Sequence, residues 1–390
     1  MKNKELLLVP GPTPVIDEIY DALASETRGH TDARFVEIYK NAIENTKTLL
    51  NTDGEVFIIA GSGTLAMEMA IVNTIAPGER ILVISNGYFG DRFEPLAKAF
   101  QIHVDILQAE WGKSVSSEEV QEKLASNTYK AVTITHADTS TGVAANLEEL
   151  VPIIKATGAL VILDGVVATA ALQEDMGKAY GGNEDYKIDI VLTGSQKAIG
   201  VPPGLAIVAF SPKALEARAK LGQINAYFAD IENWRPIMNN PSMYFATPPV
   251  NLIYAYAKAI ELVLNEGMIK REERHILFGK AIRAALKSFD LQPLADESVA
   301  APTLSCILYP EGVDDVAFRA GLAKRGIIVA GSLAHLAGKA FRIGHMGNTT
   351  IGQLETAVRA IGETLQELGQ KVDIERAIMI FNEELQQSVK

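Results

Sequence analysis

The sequence predicts an α/β fold: a large domain on a mostly parallel, helix-covered sheet, followed by a smaller α+β domain. Three observations carry that expectation. Short Val/Ile-rich runs alternate with longer amphipathic ones between residues 55 and 210, the rhythm of strand–helix–strand units. A long helical stretch then interrupts the alternation. A second, shorter set of strands and helices follows it, so the 390 residues divide between more than one core.

Residues 6–14 end Val9-Pro10-Gly11-Pro12-Thr13-Pro14, and three prolines with a glycine keep that backbone extended. We therefore expect an extended arm over residues 1–15. From residue 15 to 50 the apolar spacing is helical, broken at Thr27-Arg28-Gly29-His30-Thr31. Strands are expected at 55–60, 80–85, 103–107, 131–135, 159–164, 188–193 and 205–210. Helices are expected from residue 64, over 91–100 and over 147–157. The large domain is taken as 16–255. A small domain over 256–371 holds strands at 303–309, 327–329 and 340–343 and helices at 316–324 and 351–368. The tail, 372–390, has helical spacing and reads as a terminal helix docked on the rest. In a parallel sheet of this kind, ligands sit beyond the carboxyl ends of the strands.

Composition narrows the function. A net charge of −12 and the absence of a Lys/Arg-rich block argue against nucleic acid as a partner. The one cysteine, Cys306, lies in an alternating run and reads as a small strand residue; no internal disulfide is possible, which fits a reducing compartment. No apolar stretch approaches ~18 residues, so neither a membrane span nor a signal peptide is expected. A cytoplasmic protein is the expectation. The histidines are scattered without metal-ligand spacing, and no metal is expected.

Three features carry chemistry. The apolar run Ile188–Leu192 leads through Thr193-Gly194-Ser195-Gln196 to Lys197 and a Pro202-Pro203-Gly204 corner. A lysine at such a strand end is desolvated, which is how an amine becomes a nucleophile. Gly61-Ser62-Gly63-Thr64 follows a strand and opens a helix, so its N–H groups and hydroxyls make a phosphate site. The same run, Gly61-x-Gly63-x-x-Ala66, also resembles a dinucleotide fingerprint, and a nicotinamide-binding oxidoreductase is the rival from another class. Asp164 ends a buried strand and needs a cation or a proton-bearing nitrogen. A phosphate anchor, an acid for a pyridinium nitrogen and an amine for an aldehyde are together the three handles of pyridoxal 5'-phosphate.

With those residues in view, the chain resembles the class V aminotransferases of fold type I, in particular the alanine–glyoxylate and serine–pyruvate group. The matches run in order from Pro10-Gly11-Pro12 to about Gly362. They include Asn86-Gly87-Tyr88-Phe89-Gly90-Asp91-Arg92, Thr135-His136-Ala137-Asp138-Thr139-Ser140-Thr141-Gly142, Tyr244-Phe245-Ala246-Thr247-Pro248-Pro249 and Phe341-Arg342-Ile343-Gly344. The resemblance implies the fold-type I architecture, Lys197 as Schiff-base lysine and proton shuttle, and Asp164 on the pyridine nitrogen. It implies Ser62, Gly63, Thr64 and Gln196 around the phosphate, Phe89 stacked on the ring and Thr139 near its phenolic oxygen. Tyr244 and Thr247 would reach the phosphate of a neighbouring subunit, making the site a property of a homodimer. Arg342 is the natural fork for a substrate α-carboxylate, with Gly11 also on the substrate side, and His136 is unassigned.

The segment Gly165-Val166-Val167-Ala168-Thr169 lacks the serine that many relatives carry after the aspartate, and 177–189 is an extended loop. These departures leave the cofactor expectation intact and the amino donor open. A transaminase moving an amino group from alanine or serine to glyoxylate or pyruvate is the expectation. The alternatives are a 2-aminoethylphosphonate or ureidoglycine transaminase, with Arg28, Arg34 and Arg92 as candidates for a second anionic group, and a cysteine desulfurase-like lyase.

Overall fold

The computed structural model describes residues 5–387. The first four residues of the expected arm and the last three of the expected terminal helix lie outside the described residues. Seven strands form one sheet in the spatial order Glu55–Ala60, Leu205–Phe210, Ile190–Gly194, Leu160–Asp164, Ala131–Thr135, Arg80–Ser85, His103–Gln108. Leu205–Phe210 runs antiparallel to both neighbours; every other pairing is parallel. The central strands are buried along their whole length, which is why they read as continuous Val/Ile/Leu runs rather than as alternating ones.

The connecting helices start and stop where local chemistry directs. Asp32 caps Ala33–Leu50 through the Arg34 N–H, and Asn51 ends that helix in the left-handed region. Ser116 and Glu119 form a reciprocal capping box on Ser117–Ser126. The expected helix over 91–100 is two short helices, Tyr88–Asp91 and Phe93–Ala99, with Arg92 at the junction.

A second, four-stranded antiparallel sheet has the order Gln292–Pro293, Leu304–Leu308, Ala340–Gly344, Ala330–Gly331. Two main apolar cores result. One runs from Ile19 to Val263 around the large sheet, and the other unites Leu8 with residues from Phe278 to Phe381. Helix Ile374–Leu385, capped by Asp373, buries Ala377 and Phe381 in the second core.

One expected strand pairs elsewhere. Ile327–Ile328 joins not the small sheet but the arm, as a parallel ladder with Leu6–Leu7. Leu8 follows into the second core, so the arm is tied down before it reaches Pro10.

Candidate active site

Strand register puts the two central groups side by side. Asp164 is the last residue of its strand and pairs with Leu192 of the neighbouring strand Ile190–Gly194, which ends three residues before Lys197. The chain beyond that strand is strapped in place: Ser195 Oγ donates to the Pro202 carbonyl at 2.8 Å, the Val201 N–H to the Ser195 carbonyl at 3.0 Å and the Gly200 N–H to the Lys197 carbonyl at 2.9 Å. The arm closes over the lysine. Thr13 Oγ1 donates to the Lys197 carbonyl at 2.7 Å and Lys197 Nζ to the Pro10 carbonyl. Gly11, at φ +99°, lies so close to the lysine that a Cβ would stand 2.3 Å from its Cδ and 2.7 Å from its Nζ.

The electrostatics follow from burial. Desolvation lowers the Lys197 amine to about 8, with the Arg342 charge adding to that effect and Asp164 opposing it. Burial pushes the Asp164 carboxyl up to about 7, and the nearby charges of Asp138 and Glu174 add to it. Among the described residues its side chain accepts one hydrogen bond, from the Val166 N–H at 3.0 Å.

The turn Gly61–Thr64 opens helix Gly63–Val72 as expected, and the Ser62 side chain at its N-cap makes no capping bond. Gly63 faces Val166, where a Cβ would meet Cγ2 at 2.9 Å. The Gln196 carboxamide oxygen and the Gly63 backbone nitrogen converge on the position a Gly194 Cβ would take, and that oxygen is buried with no partner.

Phe89 is held by a network the sequence reading missed. The buried Asp138 carboxylate accepts from the backbone N–H groups of Phe89 and Gly90, both at 3.0 Å, and from Ser140 N–H and Oγ at 2.8 and 2.6 Å. Ser140 Oγ in turn accepts from the Tyr88 N–H at 2.9 Å. This close approach leaves no room for a Cβ at Gly87, which would stand 2.5 Å from Ser140 Oγ. The Asp138-Thr139-Ser140 run is an Asx-turn signal that could have pointed to it.

Arg342 projects from strand Ala340–Gly344 of the small sheet. Its Nε donates to the Gly331 carbonyl at 2.9 Å and its Nη1 to the Thr139 carbonyl at 3.3 Å. Pro10, Gly11, Phe89, Thr139, Lys197 and Arg342 thus line one cavity of about 380 Å³. Tyr244 and Thr247 are not among its lining residues. Both are exposed, and the Tyr244 ring lies 5.3 Å from that of His30. His136, unassigned from sequence, is buried with its Nδ1 2.7 Å from Glu174 Oε1, and Glu174 also accepts from Thr169 Oγ1. Glu174 sits against Gly165, the residue after Asp164.

Cys306 is buried in the small sheet, its Sγ 3.7 Å from Ser332 Oγ, and burial pushes its thiol up to about 11. No helix among the described residues is long and apolar enough to cross a membrane.

Comparison with known proteins shows the family. The family Aminotransferase class-V matches residues 12–344. An uncharacterized aminotransferase of Methanocaldococcus jannaschii is 37% identical over 95% of this chain and 96% of its own. Alanine–glyoxylate aminotransferase 1 of Saccharomyces cerevisiae is 33% identical over 89% and 93%. The crystal structure of alanine–glyoxylate aminotransferase from Nostoc sp. superposes with a TM-score of 0.87 at 27% identity, covering 94% of this chain and 96% of that one. The strand-end lysine, the buried aspartate and the glycine turn all lie within the matched span, and the chain belongs to the class-V aminotransferase family.

Proposed function

We propose that this protein is a pyridoxal 5'-phosphate-dependent transaminase that takes the amino group of a small amino acid, alanine or serine, and passes it to glyoxylate or pyruvate in a ping-pong cycle. The observation that carries the reading is a desolvated strand-end lysine, Lys197, that feels the charges of both the buried carboxyl of Asp164 and the guanidinium of Arg342, the latter lining the same cavity.

The residues fit the cofactor. The Gln196 carboxamide, whose oxygen is close to the Gly63 backbone nitrogen, stands beside an uncapped helix N-terminus; its NH2 and the first N–H groups of that helix would be the donors for a phosphate. The raised carboxyl of Asp164 calls for a proton-bearing ring nitrogen. When bound, pyridoxal 5'-phosphate supplies an aldehyde that exchanges amino groups and a ring that withdraws electrons from the α-carbon.

The chain's own residues do the rest. The Lys197 amine would hold the cofactor and would carry the substrate α-proton. Asp164 would keep the ring nitrogen protonated, Ser62, Gly63, Thr64 and Gln196 would bind the phosphate, Phe89 would pack on the ring and Thr139 would serve the phenolic oxygen. Arg342 takes the substrate α-carboxylate, and Gly11 leaves the space in which the lysine moves.

The exposed Tyr227, Phe228, Met243 and Tyr244 support a homodimer in which Tyr244 and Thr247 serve the neighbouring site. The one free, buried cysteine supports a cytoplasmic location.

The test is a visible absorption spectrum of the purified protein before and after L-alanine or L-serine, with no acceptor present. A yellow band that moves to the near ultraviolet is expected. A protein that stays colourless after incubation with pyridoxal phosphate would end this reading.

A further inference from the structure

Helix Met268–Lys287 belongs for most of its length to the second core, through Phe278, Ala281, Ile282, Ala285 and Leu286, but its first turns reach back to the large sheet. Arg271, in the first turn, is 2% exposed, and each nitrogen of its guanidinium has a partner. Nε donates to the Ala170 carbonyl, Nη2 to the Ala198 carbonyl at 2.8 Å and Nη1 to Glu266. Ala198 follows Lys197. Ala170 lies in the turn that starts directly after Asp164, where the N–H groups of Ala168 and Thr169 donate to the Gly165 carbonyl at 2.9 and 2.7 Å. One buried guanidinium therefore holds the segment behind each of the two central groups.

The bridge begins where the sheet stops. Strand pairing runs only as far as Asp164 opposite Leu192, and beyond it the two chains have no common ladder to fix their separation. The planar fork of an arginine supplies one, because the directions of its N–H groups are rigid. The Asp164 turn also needs holding: Ala170 sits at φ +65°, a conformation that costs a residue with a Cβ. The fork is itself anchored. Glu266, which neutralises its charge, also pairs with Arg274 Nε at 2.6 Å. One turn further along the helix, His275 Nδ1 donates to the Arg271 carbonyl at 2.6 Å and Nε2 accepts from the Gly347 N–H at 3.0 Å, with burial keeping the imidazole neutral. Gly347 in turn packs on the lysine segment, where a Cβ would stand 3.2 Å from the Ala198 carbonyl oxygen.

We propose that Arg271 is a positioning residue: by bridging the Ala170 and Ala198 carbonyls it sets the separation of the Asp164 carboxyl from the Lys197 amine, and so matches the two to opposite ends of one ring. This rests on the transaminase reading above. Arg271 is not among the residues that line the cavity, and it acts through the two turns it holds.

The test compares wild type, Arg271→Lys and Arg271→Met. Lysine keeps the charge for Glu266 and serves one carbonyl at a time; methionine fills space and serves neither. The half-reaction with L-alanine is followed by cofactor absorbance on the holoenzymes, and the dissociation constants for pyridoxal phosphate and for pyridoxal are measured by titrating each apoprotein. In Arg271→Met kcat should fall about 10- to 100-fold with KM for L-alanine within about twofold of wild type, the pattern of a misplaced reacting group. Affinity for pyridoxal and for pyridoxal phosphate should weaken by the same factor, since the phosphate turn at Gly61–Thr64 is not among the partners of the Arg271 guanidinium. Arg271→Lys should lie between the two, and it decides the matter by the same measurements if Arg271→Met does not fold. A lower melting temperature with kcat and both affinities as in wild type assigns Arg271 to stability alone and overturns the proposal. So does a loss carried by KM with kcat unchanged. A wild type that binds no pyridoxal phosphate ends the transaminase reading and the proposal together, whereas variants equal to a wild type that reacts with L-alanine end the proposal alone.

Discussion

The two walls of the cavity are built on different principles. The large-sheet side puts Lys197 in the cavity lining, with Asp164 and the glycine turn at neighbouring strand ends outside that lining; their positions follow from hydrogen-bond register, and the lysine and the aspartate are tuned by burial. The opposite wall carries Arg342 on the small sheet, where the guanidinium is held by two carbonyls, one of which, Thr139, belongs to the first wall. The first wall holds reacting groups to a register; the second brings a charge to a substrate. Substitutions on the two should therefore fail differently, in kcat on the first and in KM on the second.

The largest effect should come from Lys197→Ala, which removes both amine and proton carrier. Turnover should drop by about 10⁴-fold or more; single-turnover absorbance with L-alanine measures it, and retained turnover would break the distinction at its base. Asp164→Asn should lower kcat by about 10²- to 10⁴-fold, the range for a group that controls protonation at the reacting centre.

The same variant has an opposite effect on the empty protein. The Asp164 carboxyl is raised from 3.8 to about 7 in the fold, so the stability it contributes is present below 3.8 and lost as pH rises through 7. Asparagine never ionises, and at pH 8 apo Asp164→Asn should be more stable than apo wild type by about 1–3 kcal/mol. Thermal melts at pH 8 and pH 4 would show it, and a variant less stable at pH 8 would mean the carboxylate is already compensated.

On the other wall, Arg342→Ala should cost about 2–4 kcal/mol in kcat/KM, chiefly through KM for the amino acid. An unchanged KM would place the carboxylate contact elsewhere. A milder handle on the first wall is pH. With the Lys197 amine at about 8, capture of pyridoxal phosphate by the apoprotein should quicken about tenfold per pH unit below that value and level off above it. A rate flat from pH 6 to 9 would contradict the desolvation argument. The smallest effect belongs to Cys306→Ala, deep in the small sheet with a thiol pushed up to about 11. Activity should stay within about twofold, whereas its abolition would revive the desulfurase-like reading.

The legible part of this molecule is the part whose signals are local. Val/Ile runs ending in Asp164 or leading to Lys197 announce buried parallel strands, and Gly61–Thr64 announces a helix start; each was found within a residue or two. Asp138 lies within a matched motif but its work is invisible in the sequence, because the N–H groups it holds belong to Phe89 and Gly90, 49 and 48 residues away. The Glu174–His136 contact and the Leu6–Leu7 ladder with Ile327–Ile328 were missed for the same reason.

What the sequence determined by itself is the order of strands and helices and the chemical character of the strand-end groups, since periodicity, caps and desolvation act over a few residues. What only the tertiary structure decided is how separated pieces converge. Gly11 lies against Lys197 because the arm is anchored in the second core. Arg342 reaches Thr139 because the two cores pack with that strand facing the large sheet. Long-range packing sets those distances, and an ion's place in a cavity depends on every element that encloses it.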